Sequence, residues 1–175
     1  MKIGISGGHL TPAVALIQYI QAQDATHEVV FFGRSFSQTK HKQPTQKKNG
    51  VEVVGAQFIA FQAPRISTGS ISEWVRLAFL LPLSILSAVR VLFREKPDVF
   101  VSFGSYQAVP LAVAAWALRI PIVAHEQTRV LGRATRVITP LAKKVAVSHP
   151  EALTKLPKKK AVLTGNLMRA GLTTP

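Results

Sequence analysis

One stretch near the middle of the chain, residues 97–128, constrains the fold more than any other. It opens with an almost wholly apolar run at 99–103, which is typical of a strand buried on both faces of a sheet. Gly104 and Ser105 end this run, an Ala-rich helical segment follows, and a second apolar run occupies 120–124. Strand, tight turn, helix and strand in this order predict a right-handed βαβ unit in a parallel sheet.

The ends of these two predicted strands carry the residues that could bind a ligand or catalyse a reaction. Ligands of open α/β sheets bind at the carboxyl ends of the strands, so the residues that follow each strand are candidates for a site. These residues are Gly104, Ser105 and Tyr106 after the first strand, and His125, Glu126 and Gln127 after the second.

A similar turn lies near the start of the chain. We expect a strand at 2–6, a turn through Gly7 and Gly8, and a helix with Thr11 as its N-cap and Pro12 as its first residue. Two Gly turns at one end of a sheet bring backbone N–H groups and helix N-termini together, and both attract phosphate. Neither turn matches the dinucleotide or P-loop pattern.

The remaining pattern alternates strands and helices. Strands are expected at 28–33, in one or two pieces within 51–60, at 144–148 and at 161–164, and a polar basic loop at 34–49. A long apolar helix is expected after Ser72, its candidate cap, with a kink or restart at Pro82.

That apolar helix has two interpretations. Its charged and polar positions fall in one narrow stripe that contains Arg76 and Arg90, and the uncharged run between these arginines is too short to span a bilayer. The helix is either buried on several sides or an interfacial segment that inserts Phe79, Leu83 and Leu86 among lipid headgroups.

Composition bounds the class of protein. The 175 residues are enough for one well-buried domain, and the absence of cysteine excludes disulfides and thiolate metal sites. A strand directly after Met1 leaves no room for a secretory signal, so we expect a cytoplasmic protein. The formal charge of +14 implies an anionic partner, and the apolar fraction of 47% favours a membrane surface over nucleic acid.

Five motifs carry a resemblance to a known family. They are Ser-Gly-Gly-His-x-x-Pro-Ala at 6–13, Ser-Phe-Gly-Ser-Tyr at 102–106, Ala-Ala-Trp at 114–116, Ile-Pro-Ile-Val-Ala-His-Glu-Gln at 120–127 and Thr-Gly-Asn-Leu-Met-Arg at 164–169. In this order they resemble the amino-terminal half of the MurG family, the peptidoglycan N-acetylglucosaminyltransferases.

The resemblance implies a fold and an activity. The fold is α/β, a Rossmann-like parallel sheet with helices on both faces, as in the amino-terminal half of a GT-B glycosyltransferase. Residues 1–165 would form an acceptor-binding, membrane-associating domain, and 166–175 would begin a linker to a donor-binding domain. The activity is inverting transfer of N-acetylglucosamine from UDP-GlcNAc to lipid I, an undecaprenyl-diphosphate-linked muramyl peptide, at the cytoplasmic face of the bacterial inner membrane. No cofactor and no metal are implied.

The resemblance also implies roles for individual residues. The catalytic candidates are His9 and Glu126. The donor-binding candidates are Ser6, Gly7, Gly8, Thr128 and Arg169. The candidates for the acceptor diphosphate are Gly8, Gly104, Ser105 and Tyr106. The membrane patch would comprise Phe79, Leu83, Leu86, Trp116, Arg76 and Arg90. For His125, structural hydrogen bonding is favoured over catalysis.

Some positions depart from the family pattern. Ser105 replaces a usual Gly, Thr128 stands where Asn is frequent, and Leu167 replaces Pro. Two other functions stay open. The chain could be a non-catalytic membrane-anchoring and acceptor-binding subunit of a two-chain lipid-linked N-acetylglucosaminyltransferase. A basic nucleic-acid binder ranks last, because aromatic platforms and motifs for that role are lacking.

Overall fold

The computed structural model describes residues 1–8, 10–34, 47–64 and 70–168, with only the backbone at 47–49, 71 and 74. Seven strands form one sheet. They are β1 (Lys2–Gly7), β2 (Glu28–Gly33), β3 (Gln57–Ala60), β4 (Val99–Phe103), β5 (Ile122–Glu126), β6 (Lys144–Val147) and β7 (Ala161–Leu163). The helices are α1 (Leu10–Gln23), α2 (Lys47–Glu52), α3 (Ile71–Glu95), α4 (Ala108–Ala117), α5 (Arg133–Ile138) and α6 (Pro150–Leu153).

The sheet has the order β3-β2-β1-β4-β5-β6-β7, and every pair of neighbours is parallel. All strands therefore end at one side, here called the carboxyl end of the sheet, and begin at the opposite amino end. The chain order reverses between β1 and β4, where Ile3 pairs with Val99. This is the topological switch point, at which open α/β sheets bind ligands. The predicted Rossmann-like parallel sheet is confirmed.

Helices cover both faces of the sheet, as predicted. Successive side chains of a strand point to opposite faces, and in β2 Val30 and Phe32 join one core while Val29 and Phe31 join the other. The first core includes buried residues of α3 and α4, and the second includes buried residues of α1. We refer to these two sides of the sheet as the α3–α4 face and the α1 face.

Helix α3 departs from the prediction at its start, and it does not restart at Pro82. Its N-cap is Ser70, whose side chain accepts a hydrogen bond of 3.3 Å from the backbone N–H of Glu73, so the predicted cap at Ser72 is wrong. The helix continues through Pro82 without a break. Pro82 is exposed, so its ring lies on the solvent side, and a proline removes one helical hydrogen bond while the buried side of α3 still packs.

Two other boundaries were predicted wrongly. Helix α1 begins at Leu10, so Thr11 lies inside the helix and Pro12 is its third residue, where a missing N–H still costs no helical hydrogen bond. Val51 belongs to α2 rather than to a strand, and β3 begins only at Gln57. The Val51 side chain is fully buried on the α1 face, and this packing overrides the β-propensity of a branched residue.

Candidate functional site at the carboxyl end of the sheet

The two Gly turns touch each other at the switch point. A side chain at Gly8 would place its Cβ only 2.8 Å from the Cβ of Ser105, and one at Gly7 would lie 2.5 Å from the Cβ of Phe103. Backbone from the end of β1 therefore packs directly against the turn after β4. Glycine is required at both positions because no larger residue leaves room for this approach.

The turn after β4 has an unusual backbone. Gly104 has φ of 68° and Ser105 has φ of 75°, so two successive residues adopt the left-handed conformation. Serine is seldom found there, and strain of this kind at a non-glycine residue concentrates at functional sites. The Gly104 N–H donates to Ser102 Oγ over 3.3 Å, which helps to hold the turn.

A cleft of about 630 Å³ opens beside this turn. Its lining comprises the turn residues 104–106, the residues 125–128 at the end of β5 and after it, and the residues 132–135 and Val137, together with Pro12, Phe103 and Val109. We call residues 127–132 the β5–α5 loop. The lining is mainly apolar, with a few polar groups, as is common in sites for small molecules and sugars.

Glu126 holds the β5–α5 loop in place. Its carboxylate accepts hydrogen bonds from the backbone N–H groups of Thr128 (3.1 Å) and Gly132 (2.8 Å), and from the hydroxyls of Thr128 (2.6 Å) and Thr135 (2.7 Å). Burial of the carboxyl group raises its pKa, but the hydrogen bonds from Thr128, Thr135 and Gly132 outweigh burial and leave the pKa below the ordinary value. Glu126 is therefore a charged, fully hydrogen-bonded anchor.

His125 also lines the cleft, at the end of β5. It is buried, its ring centroid is 5.4 Å from that of Phe103, and its Nε2 is 3.4 Å from Ser148 Oγ. Burial lowers the pKa of His125, against a smaller opposing effect of the Gly165 backbone and of Glu126. Its Nδ1 is buried and has no hydrogen-bond partner among the described residues, so the structural hydrogen bonding favoured from the sequence stays a prediction.

Tyr106 has a partner that the sequence analysis missed. The guanidinium carbon of Arg34 lies 5.6 Å from the centre of the Tyr106 ring, within the range of a cation–π interaction. Arg34 directly follows β2, and the sequence pattern places it in a polar basic loop. Its position one residue beyond a predicted strand could have revealed it, because such residues lie at the carboxyl end of the sheet.

The structure brings together part of the predicted site. Gly7, Gly8, Gly104, Ser105 and Tyr106 meet around the switch point, with Glu126 across the cleft. The hydroxyl of Ser6 is buried and donates to the Phe32 carbonyl over 2.9 Å, and the Thr128 hydroxyl donates its one proton to Glu126 Oε1 over 2.6 Å. His9 and Arg169 lie outside the described residues. Within residues 1–8, 10–34, 47–64 and 70–168, no group of three or more His, Asp or Glu side chains is placed to hold a metal ion.

Helix α3 exposes apolar side chains along its length. Phe79 is 72% exposed, Leu83 62% and Leu86 47%, and Trp116 of α4 is 60% exposed. Val75 and Phe93 extend this set, so we call Val75, Phe79, Leu83, Leu86 and Phe93 the apolar stripe. Arg76 and Arg90 are exposed on the same helix. In the described part of the chain, Val75–Glu95 is the one segment long and apolar enough to cross a membrane by length and composition.

Comparison with known proteins extends these observations. Residues 1–147 match the glycosyltransferase family 28 N-terminal domain. A relative from Desulfotalea psychrophila, named UDP-N-acetylglucosamine--N-acetylmuramyl-(pentapeptide) pyrophosphoryl-undecaprenol N-acetylglucosamine transferase, is 33% identical over 97% of this chain and 44% of its own length. A relative of the same name from Myxococcus xanthus is 33% identical over 97% of this chain and 42% of its own length. The chain thus spans less than half the length of these relatives.

Solved structures support the same fold. MurG from Acinetobacter baumannii superposes with a TM-score of 0.71 at 22% identity, covering 99% of this chain and 47% of that one. The UDP-GlcNAc 2-epimerase from Neisseria meningitidis, solved with UDP-GlcNAc, superposes with a TM-score of 0.60 at 16% identity, covering 95% and 47%. The resemblance to MurG proteins drawn from the motifs is confirmed, and the chain belongs to glycosyltransferase family 28, whose N-terminal domain it contains.

Proposed function

We propose that this chain is the acceptor-binding, membrane-associating part of a transferase that moves N-acetylglucosamine from UDP-GlcNAc to lipid I, producing lipid II. The observation that carries the proposal is the cleft beside the two touching Gly turns, in a chain whose curated relatives have this activity in their names. A sugar fits the cleft, and backbone N–H groups next to it suit a diphosphate.

The reaction needs two kinds of assistance. A hydroxyl of the acceptor sugar attacks the anomeric carbon of the donor from the face opposite UDP, so a general base must take the proton and positive charge must stabilise the departing UDP. The Gly turns lead into α1 and α4, whose N-termini stabilise negative charge at the carboxyl end of the sheet.

We assign the base role to His9 rather than to Glu126. A base needs a vacant lone pair and a pKa near neutrality, whereas the Glu126 carboxylate already accepts four hydrogen bonds and has a lowered pKa. Glu126 instead orients the β5–α5 loop.

The other assignments follow the family motifs. Gly8, Gly104, Ser105 and Tyr106 would contact the diphosphate of the acceptor. Gly7, Thr128 and Arg169 would contact the donor, with Gly8 shared between the two ligands. Ser6, the remaining donor candidate, is fully buried and would act through its hydrogen bond to the Phe32 carbonyl, which holds the end of β1 against β2. Residues 1–165 would form the acceptor domain, and residues 166–175 would start the linker to a donor domain.

We propose an anionic membrane, not nucleic acid, as the partner that explains the charge of +14. The apolar stripe, Trp116, Arg76 and Arg90 would bind the cytoplasmic face of the bacterial inner membrane peripherally. Apolar side chains next to arginines suit the boundary between headgroups and acyl chains. The carrier lipid of the acceptor would lie in the same membrane.

A chimera tests the activity. This chain would be joined to the remaining carboxyl-terminal part of the Desulfotalea psychrophila relative and assayed with radiolabelled UDP-GlcNAc and lipid I in vesicles. We expect lipid II from the chimera and none from the 175-residue chain alone. A folded chimera that binds UDP-GlcNAc but transfers no sugar, beside an active full-length relative, would contradict the proposal.

A further inference from the structure

Arg34 lies level with the first Gly turn. Strands β1 and β2 are parallel, and Ser6 pairs with Phe32, so two residues further on Gly8 and Arg34 reach the carboxyl end of the sheet together. The side chains of Val30 and Phe32 point to the α3–α4 face. Alternation along β2 sends Arg34 to that same face.

The contact with Tyr106 fixes where the guanidinium group lies. Tyr106 follows β4, and β1 lies between β2 and β4 in the sheet. The 5.6 Å approach of Arg34 to the Tyr106 ring therefore spans the end of β1, next to Gly8. A cation–π contact engages the face of the guanidinium, whereas its N–H donors point outward in the guanidinium plane.

The Tyr106 hydroxyl is a second polar group at this place. It is buried, and it has no hydrogen-bond partner among the residues that the structure describes. A buried hydroxyl without a partner carries a desolvation cost that a bound ligand would remove. A permanently charged guanidinium beside an unsatisfied hydroxyl, next to a Gly turn, suits the oxygens of a phosphate.

The position of α3 indicates whether the phosphate belongs to a lipid-linked ligand or to UDP. The ion pair between Lys2 and Glu95 (3.1 Å) places the end of α3 at the amino end of the sheet. With 25 residues α3 is about 37 Å long, roughly twice the length of a five-residue strand, so its first turns extend beyond the carboxyl end. The apolar stripe thus continues past the site on the face where Arg34 and Tyr106 lie.

We propose that Arg34, together with the Tyr106 hydroxyl, binds the diphosphate of the lipid-linked acceptor. This inference rests on the proposed function, in which the lipid chain is embedded beside α3 and the sugar enters the cleft. The diphosphate joins these two parts, so it must cross the space between α3 and the cleft, where the Arg34–Tyr106 pair lies. UDP is water-soluble and carries no lipid chain, so nothing directs it to the side of the cleft on which α3 lies.

The test uses the purified chain and NMR titration of its backbone amides. Farnesyl diphosphate, below its micelle concentration, represents the lipid-linked ligand, and UDP represents the donor. We expect Arg34→Gln to weaken farnesyl diphosphate binding about tenfold, because the charge-assisted hydrogen bonds from the guanidinium group to the diphosphate are lost. Arg34→Lys should recover part of this loss, and Tyr106→Phe should cost less than Arg34→Gln. Lys158→Gln, which removes an exposed charge just before β7, serves as the control and should bind as the parent does.

The possible outcomes separate this inference from the proposed function. Suppose that farnesyl diphosphate shifts the amide resonances of Gly8, Gly104 and Ser105 in the parent, and that folded Arg34→Gln binds it equally well. The role of Arg34 is then wrong and the diphosphate site stands. If Arg34→Gln weakens UDP binding alone, Arg34 serves the donor and the inference is also wrong. If farnesyl diphosphate leaves these amides of the parent unshifted, the proposed acceptor site itself fails, and the role of Arg34 with it.

Discussion

At the scale of single residues, Glu126 and Ser105 define the shape of the cleft in different ways. Glu126 binds the β5–α5 loop through four hydrogen bonds, and Ser105 holds a left-handed backbone against Gly8. Each of these arrangements can be tested without a substrate, since each contributes to the stability of the fold.

Replacing Glu126 by Gln should destabilise the chain by about 1–3 kcal/mol at pH 7, because an amide nitrogen would face donors that now meet an oxygen. The pKa of Glu126 is lowered on folding, so its contribution is present above the ordinary value of 4.5 and is lost as pH falls through the folded pKa. The difference between parent and Glu126→Gln should therefore shrink on acidification from pH 7 to below pH 4.

Urea unfolding of both proteins across this pH range measures the difference. Glu151→Gln is a matched control, since Glu151 is exposed and its ion pair with Arg129 is long at 3.9 Å. An equal loss of stability in both variants would show that the Glu126 hydrogen bonds contribute no more to the free energy of unfolding than an exposed carboxylate does.

The contact between the two Gly turns predicts a coupled pair of substitutions. Gly8→Ala should cost about 1–3 kcal/mol, because its new Cβ would lie 2.8 Å from the Ser105 Cβ. In a Ser105→Gly background the atom that it meets is gone, so most of that cost should disappear. A double-mutant cycle by thermal or urea unfolding gives the coupling energy.

Gly7→Ala provides the contrast in the same cycle. Its Cβ would meet the Cβ of Phe103 and also the Phe103 carbonyl oxygen at 3.2 Å, so Ser105→Gly should not rescue it. Rescue of both alanine variants, or of neither, would contradict the packing described here.

Sequence reasoning reached the glycines and Tyr106 of the site but not the contacts that organise it. Gly104 and Tyr106 follow a strand of obvious character, so their place at the carboxyl end of the sheet could be predicted. The bonds from Thr135 and Gly132 to Glu126 could not, because they depend on how α5 folds back over β5. Arg34 was missed for a similar reason, since its partner Tyr106 lies two strands away in the sheet.

At the scale of elements, α3 shows what local patterns can and cannot specify. Its apolar, uncharged run predicted a helix correctly, whereas the cap was predicted at Ser72 and lies at Ser70. The choice depends on which residue leaves the helical conformation, and Ser70 has φ of −144° and ψ of 158°. Helix α2, only six residues long, was missed because its buried Val51 resembles a strand residue.

The two serines can be distinguished by substitution. Ser70→Ala should destabilise the chain by about 1 kcal/mol, because the N–H of Glu73 loses its side-chain acceptor. Ser72→Ala should cost less, since within the described residues the Ser72 hydroxyl is hydrogen-bonded to that of Ser70, at 2.9 Å, and caps no backbone N–H. Midpoints of urea unfolding compare the two, and a larger cost for Ser72→Ala would mean that the cap is not at Ser70.

At the scale of the whole molecule, one surface of the domain is apolar and basic together. The two interpretations of α3 from its sequence differed in whether Phe79, Leu83 and Leu86 are covered, and the structure leaves them exposed. Strand order was predictable only in part. The βαβ pattern implied a parallel sheet with a switch point, but apolar runs alone do not show which strands are neighbours.

The double variant Phe79→Ser, Leu83→Ser should lose most binding to anionic vesicles while remaining folded. Each large side chain contributes roughly 1.5–3 kcal/mol when it leaves water, and each nearby arginine about 1 kcal/mol on anionic lipid. Binding of the parent should weaken with salt without disappearing, because the apolar part is not screened. Flotation with vesicles of phosphatidylglycerol and phosphatidylethanolamine measures this.

Tyr19→Ser, Val53→Ser is the control, since both side chains are exposed and belong to α1 and the turn after α2, away from α3. It should bind vesicles as the parent does. If the Phe79 and Leu83 variant floats with vesicles as well as the parent, the membrane surface lies elsewhere on the domain.

The pairing of β1 with β4 has a consequence for synthesis on the ribosome. The backbone N–H of Lys2 donates to a carboxylate oxygen of Asp98, 96 residues further on, and β1 cannot acquire its second neighbour before β4 has been translated. At elongation rates of about 5–20 residues per second, the 70 residues from the end of β2 to the end of β4 leave β1 paired on one side only for roughly 4–14 seconds. During that interval α3 is synthesised, and its side that later packs on α4 stays uncovered until α4 follows. The amino-terminal strands therefore lack their central partner, and α3 keeps an uncovered apolar side, until the central pair of the sheet closes.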